Sequence, residues 1–296
     1  KIDWLIELIS NIRSTKVDLE VSPGTYIDIS LDGLEKDKCK IINDNFKALE
    51  LIERPENPRE IKDLTVDFEH NSIQLINGFL NSSDLKYEDK SKIKISEYKQ
   101  DFFRETETKN SLINLNDALY GGGFSLEVSN DYVLNKPLVV YNFFESGLNN
   151  KIINNKNRIV LHDNSKIDLI DIFLNSNEIK FMQNNFTSIF IGKKSSLKNY
   201  TIQGGKSNGL NYKYVKGSLN EDSVYQDYIF SSGIKFNRID EDIDFNGERA
   251  ECNILSALFV ENECHQEIKT LINHLKPNCK SYQKIKNVLK KNCKSA

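Results

Sequence analysis

Four of the five cysteines and two of the four histidines fall within residues 242–293: Cys252, Cys264, His265, His274, Cys279 and Cys293. Thiols and imidazoles are soft ligands, so the chemistry such a set can offer is transient iron or zinc binding, or sulfur handling. The spacing is C-x11-C-H-x8-H-x4-C-x13-C. It contains no CxxC pair and matches neither a structural zinc cage nor the clustered cysteines of a ferredoxin. Free cysteine is also among the most buried residue types, and Cys252 opens an apolar, strand-like run. His265 sits in a polar turn. His274 falls near the end of a helix-like stretch, where a cation complements the dipole.

Other chemistries are less well supplied. Gly121-Gly122-Gly123 lacks both the GK[ST] of a P-loop and the GxGxxG of a dinucleotide fold, and reads as a helix C-cap leading into a strand. There is no GxSxG nucleophile elbow. Paired carboxylates of the kind polysaccharide-cleaving β-helices use are available at Asp168 and Asp171, or from Asp240 to Asp244. Solvated surface charge explains them equally well. The formal net charge of −3 on 296 residues shows no basic excess and gives no reason to expect nucleic acid. No apolar run approaches the roughly 20 residues of a membrane helix. Five irregularly spaced cysteines do not form a secreted disulfide framework, so a reducing, cytoplasmic setting is expected.

The elements that would carry these residues divide near residue 115. Residues 1–115 read as a mixed α/β region: a helical opening (Trp4, Leu5, Leu8, Ile9, Ile12), a helix over 43–54, and strands at 64–68 and 72–76. Asn77-Gly78 closes the second strand as a turn. The spacing over Ser111–Leu119 predicts a helix capped by Ser111. From Gly121-Gly122-Gly123 onward, short alternating runs recur at roughly 8 to 12 residues, each ended by polar turn residues. That pattern predicts a mainly β architecture, either an antiparallel sandwich or a parallel β-helix, with Ile, Val, Leu and Phe inward and Asn, Lys, Ser and Asp outward. After Phe259 the apolar spacing turns helical, over 265–275 and 281–291.

Several motifs resemble those of the SufB/SufD family, the scaffold proteins of SUF iron–sulfur cluster assembly. Gly247-Glu-Arg-Ala-Glu-Cys-Asn-Ile-Leu-Ser-Ala-Leu-Phe259 is similar to its "G-x-x-A-x-C-x-L-x-G-L-Y". His265 and Asn273-His274-Leu-Lys-Pro-Asn-Cys-Lys-Ser281 resemble its "H…D-H-x-x-P-x-C-x-S". Lys286 and Val288-Leu289 match its "Y-K-x-V-L", with Ile285 in place of Tyr. Upstream, Asn77-Gly78-Phe79, Leu115-Asn116-Asp117-Ala118-Leu119, Pro137-Leu138 and Tyr26-Ile-Asp-Ile-Ser30 follow in the family's order. The last of these favours the SufD side.

The resemblance implies a right-handed parallel β-helix core over 116–296 after the smaller N-terminal region. It recasts the helix-like run after Phe259 as further coils. It also implies a non-catalytic scaffold that pairs with a SufB-like subunit and a SufC-like ATPase, with no tightly bound cofactor and only transient iron or an iron–sulfur cluster at the level of the complex. Cys252, His274 and Cys279 are the candidates for metal or sulfur relay. The family continues past this point to a "C-S-H-G" motif and SufC-binding helices, whereas the sequence here stops at Ala296. The competing expectations are a polysaccharide-active enzyme and a non-catalytic β-solenoid interaction module.

Overall fold

A computed structural model describes residues 71–99, 110–174, 179–204, 207–261, 263–290 and 293–295. All lie in the second of two compact units, Thr65–Ala296. The helices expected near the N-terminus and over 43–54, and the strand at 64–68, fall outside the described residues.

The described part is mainly β, a parallel solenoid of about six turns. Its strands are β1 (Asn71–Ile76), β2 (Phe79–Leu80), β3 (Ile93–Glu97), β4 (Phe124–Val128), β5 (Leu138–Phe143), β6 (Lys151–Leu161), β7 (Lys166–Leu174) and β8 (Phe181–Ile191). They continue as β9 (Ser196–Gln203), β10 (Ser207–Leu219), β11 (Val224–Ser232), β12 (Ile234–Phe245), β13 (Glu251–Val260), β14 (His265–Asn273), β15 (Lys280–Leu289) and β16 (Lys294–Ser295). One sheet runs β15-β13-β11-β9-β7-β5-β1-β2 and the other β16-β14-β12-β10-β8-β6-β4-β3. From β4 onward, successive strands alternate between sheets and pair in parallel with the strand one coil away. Paired residues on these neighbouring coils are therefore 26 to 33 residues apart in sequence. This settles the choice between sandwich and β-helix. An antiparallel sandwich joins neighbours through hairpins, whereas parallel neighbours need a whole crossover between them.

The helix-like run after Phe259 is β14 and β15, each in register with the preceding strand of its sheet. Ile268, Leu271 and Ile272 do fit a helical face, but the exposed edges of β12 and β13 offer backbone pairing that overrides so weak a preference.

At the start of the solenoid the pairing is antiparallel. β1 and β2 form a two-residue hairpin whose Asn77 (φ 54°) and Gly78 (φ 86°) are both left-handed, as a type I′ turn requires. β3 pairs antiparallel with β4. Helix α1 (Ser111–Leu119) forms where the spacing placed it, but its cap is Asn110, whose side-chain oxygen accepts from Leu112 N at 3.0 Å. Fully buried Asn116 fixes α1 to the second sheet by donating to Asn155 O (3.1 Å) and Asn184 O (2.7 Å). Lys156 adds an ion pair to Asp117 and lies over the Tyr120 and Phe186 rings. The glycine run after α1 is not a left-handed cap. The Tyr120 cap is extended, and a Cβ at Gly123 would sit 1.7 Å from Lys156 O. These glycines let backbone pass against backbone.

One corner of the solenoid repeats coil after coil. Asp131, Asn164, Lys194, Asp222, Arg249 and Asn278 all have φ between 55° and 60°. The amides of the first five each donate to a carbonyl one coil on: Asp163, Lys193, Glu221, Glu248 and Pro277. That ladder offsets the cost of left-handed conformation in non-glycine residues. At the last five of these corners the next residue forms a column, Ser165, Ser195, Ser223, Ala250 and Cys279, in register through the strands that follow. The serine hydroxyls donate to carbonyls of the turn, as with Ser165 to His162 O at 2.7 Å and Ser223 to Asn220 O at 2.6 Å.

Candidate functional site: a buried polar line in the solenoid

Strict alternation would place only apolar side chains between the sheets. Near one side of the interior it does: Ile159, Ile189 and Ile243 stack there, with Leu161, Ile191, Leu219 and Phe245 beside them. Elsewhere the inward positions are polar. Contrary to the outward placement expected of Asn, Lys and Asp, residues Asn155, Asn157, Asn185, Asn199, Asn211, Lys213, Asp227, Asn237 and Glu241 are buried.

Most of them are hydrogen-bonded in separate runs, while the Asn155 side chain has no partner among the described residues. Asn142 donates to Asp171 at 2.7 Å, and Lys213 Nζ donates to Asp171 Oδ2 at 3.1 Å and to Thr201 at 3.2 Å. Asn199 bridges Thr201 (3.2 Å) and Asp227 Oδ1 (2.9 Å), and the Tyr225 hydroxyl donates to Asp227 Oδ2 at 3.2 Å. A second strand of the network runs from Asn211 to Asn237 (2.7 Å) and on to Gln266 (3.2 Å).

The charges within it are unequal. Burial opposes the ammonium of Lys213, but Asp171 and then Asp227 outweigh that, so its pKa is raised and it stays a cation. Burial raises Asp227, with Lys213 pulling the other way. Glu241 is 1% exposed, and burial, then the charge of Asp227, push its pKa well above the carboxylate range. As a carboxylate it would accept from no donor. As an acid it can hydrogen-bond to Asp227, so Glu241 holds the proton of the pair. Lys213 therefore faces two carboxylates and one carboxylic acid.

Cys252 borders this line. It is fully buried between Tyr225 and Ser281 of the adjoining coils. Burial, then the negative charge of the Asp227–Glu241 pair, raises its thiol far above the ordinary value. At neutral pH Cys252 is a protonated thiol in a dry setting, not a nucleophile at rest. His274 lies on the exposed side of the same coil, edge-on to Phe245 with ring centres 4.7 Å apart, and its Nε2 is 3.0 Å from the Ser281 hydroxyl. Ser281 is thus the step between Cys252 and His274. Cys279 occupies the serine position of the corner column, its Sγ donating to Gly247 O at 3.3 Å. His265 lies on the outer face against Phe236 and contacts Glu267 at 2.8 Å. The six soft ligands do not converge: among the described residues no group of three or more His, Cys, Asp or Glu is placed to hold a metal ion.

The carboxylates considered for sugar chemistry are largely engaged. Asp240 takes Arg238 through two nitrogens and the Tyr212 hydroxyl. Asp242 and Asp244 share Lys216 at 3.0 and 2.8 Å, and Asp171 holds Lys213. An open cavity of about 460 Å³ lies where Asn110 and Leu112 meet Met182, Leu210 and Phe236. Its one cationic group, Arg238, is spent on Asp240 and Glu267.

The buried line escaped sequence reading because every member sits on a strand that alternates correctly. The available signal was polar residues recurring one coil apart, as in Asn157 and Asn185 or Asn199 and Asp227, and it becomes readable only once the coil length is known.

No helix among the described residues is long and apolar enough to cross a membrane. No curated protein matches the chain. The model of the SufBD core domain of SUF-system FeS cluster assembly matches residues 143–296, more than half of the sequence and all of its regular coils from β6 onward. With a parallel solenoid under the same residues, the chain belongs to the SufBD core-domain family of SUF iron–sulfur cluster assembly.

Proposed function

We propose that this chain is a SufD-like scaffold or accessory subunit, without turnover of its own, working in the cytoplasm beside a SufB-like scaffold and a SufC-like ATPase. The family match over the coils carries this reading. The SufD assignment draws on the N-terminal residues Tyr26-Ile-Asp-Ile-Ser30. Iron or an iron–sulfur cluster is cargo of the assembled complex in this reading. On β15, the last long strand described, Tyr282, Ile285, Val288 and Leu289 are 40–59% exposed. Their strand has a backbone edge ready for another coil, from the same polypeptide or from a partner.

Within that role we assign sulfur or iron passage to the interior thiol Cys252, with His274 at the end of its own coil and Cys279 at the start of the next. Relay through Cys252 requires a group that takes its proton, and the carboxylate of Asp227 is the base nearest in kind. The test is a pull-down with the full-length gene product under gentle conditions. SufB- and SufC-like proteins should be retained, and their absence would count against the subunit role. Cys252→Ser should impair cluster delivery by the complex; normal delivery would leave Cys252 a core residue.

A further inference from the structure

The corner opposite the serine column carries Cys264 and Cys293. They precede β14 and β16, which pair in parallel with His265 beside Lys294 and Gln266 beside Ser295. The cysteines therefore hold matching positions on adjacent coils. Three contacts bracket them: Lys294 N donates to Cys264 O at 3.2 Å, Lys290 N to Val260 O at 2.9 Å, and Lys290 Nζ pairs with Glu261 at 2.8 Å. Behind them Asn287 of β15 donates to Ser295 at 2.8 Å.

Both side chains turn inward. Cys264 is part of the main apolar core at 4% exposure, and half-buried Cys293 packs against it. Neighbouring strands lie about 4.7–4.9 Å apart, inside the roughly 4.4–6.8 Å between Cα atoms that a disulfide spans. Burial raises the Cys264 thiol, and a charge on nearby Cys293 adds to that.

We propose that Cys264 and Cys293 form a reversible dithiol–disulfide site that clamps β16 to β14, oxidised by exchange with a small-molecule disulfide of the glutathione class. The partly exposed Cys293 thiolate attacks one sulfur of the disulfide, whose S–S bond breaks. A mixed disulfide forms on Cys293, and the first small thiolate leaves and takes up a proton. The thiolate of Cys264 then attacks the Cys293 sulfur, forming the inter-coil bond and expelling the second small thiol. Two protein thiols lose two electrons and two protons, and one small disulfide becomes two thiols. Buried Cys264, whose thiol is pushed above its ordinary value, suits the resolving role rather than the first attack. This site stands apart from the scaffold reading: it needs neither a partner nor a cluster.

The test is incubation of the native protein with oxidised glutathione, followed by peptide mapping without reductant. The expected product is a peptide pair joined through Cys264 and Cys293 and lighter by two hydrogens, restored by dithiothreitol. In the oxidised protein the Lys294 amide should exchange roughly tenfold more slowly or less, as an inter-coil clamp suppresses local opening. Cys264→Ser should stall at a glutathione adduct on Cys293, and Cys293→Ser should leave Cys264 unmodified. Linkage of either residue to Cys39, Cys252 or Cys279, or adducts without a cross-link in the unsubstituted protein, would overturn the proposal.

Discussion

Lys213 has the most exacting position of any side chain in the interior. Its ammonium is 6% exposed and bonded to Asp171 and Thr201, with Asp227 one contact further along the line. Removing a buried cation leaves its carboxylates unpaired in a low dielectric, at a cost of about 3–5 kcal/mol. Lys213→Met should therefore lower the urea unfolding free energy by that amount. A change within about 0.5 kcal/mol, typical of surface substitutions, would mean the pair contributes little. Glu241 sets the pH response. Its folded pKa lies above its unfolded value, so the folded state binds the extra proton, and stability falls as pH rises from the ordinary Glu range through the raised folded value. Glu241→Gln keeps a donor for Asp227 and removes that titration. Urea midpoints of the variant and the parent should diverge as pH rises, with the variant the more stable at the alkaline end. Parallel pH profiles would show that Glu241 is already ionised.

At the scale of elements, α1 is held by one amide more than by its apolar face. Asn116 satisfies two backbone carbonyls of β6 and β8, and Asn184 answers by donating to Leu112 O at 2.8 Å. Asn116→Ala should cost about 1–3 kcal/mol, because those carbonyls stay buried beneath the helix without a donor. Hydrogen exchange should quicken across Ser111–Leu119 while β9 and β11 stay protected. Uniform quickening would mean that α1 and the coils open as one unit. The same residue explains the Leu115-Asn116-Asp117-Ala118-Leu119 motif: its apolar positions gave the helix, and its asparagine gives the docking. Cys279 has a comparable explanation. It stands where earlier coils have serine, and its thiol donates to the turn carbonyl as their hydroxyls do.

For the whole molecule, the solenoid's stability is a sum over neighbouring coils rather than the property of one centre. Coils around β8 to β11 have partners on both sides, whereas β15 has its preceding neighbour β13 and ten exposed residues. Amide protection should therefore be greatest over β8–β11 and fall through β15, in opening events that begin at the last coil. Equal protection along the chain would show all-or-none unfolding instead. The mainly β class, the helix over Ser111–Leu119, the turn at Asn77-Gly78 and the polar turns that end the later strands were legible in sequence. Alternation, turn chemistry and amphipathic spacing are local properties, and each of these elements rests on them. The family was legible too, through residues 247–289, because motif order survives where composition is uninformative.

Pairing partners were not legible. Which strand lies beside which depends on a coil length that varies from 26 to 33 residues, and no local rule expresses it. Only the tertiary structure converted the run after Phe259 from helix to strand, because the edges of β12 and β13 supply hydrogen bonds that no isolated segment has. It alone scattered the Cys and His cluster of residues 242–293 along two coils, putting Cys252 inside, His274 outside and Cys279 in a serine corner. It also gathered Asp171 and Asp227 from β7 and β11 of one sheet with Lys213 and Glu241 from β10 and β12 of the other. Sequence determined which residues could face inward. Stacking of coils decided which of them meet, and burial then decided which of them hold their charge.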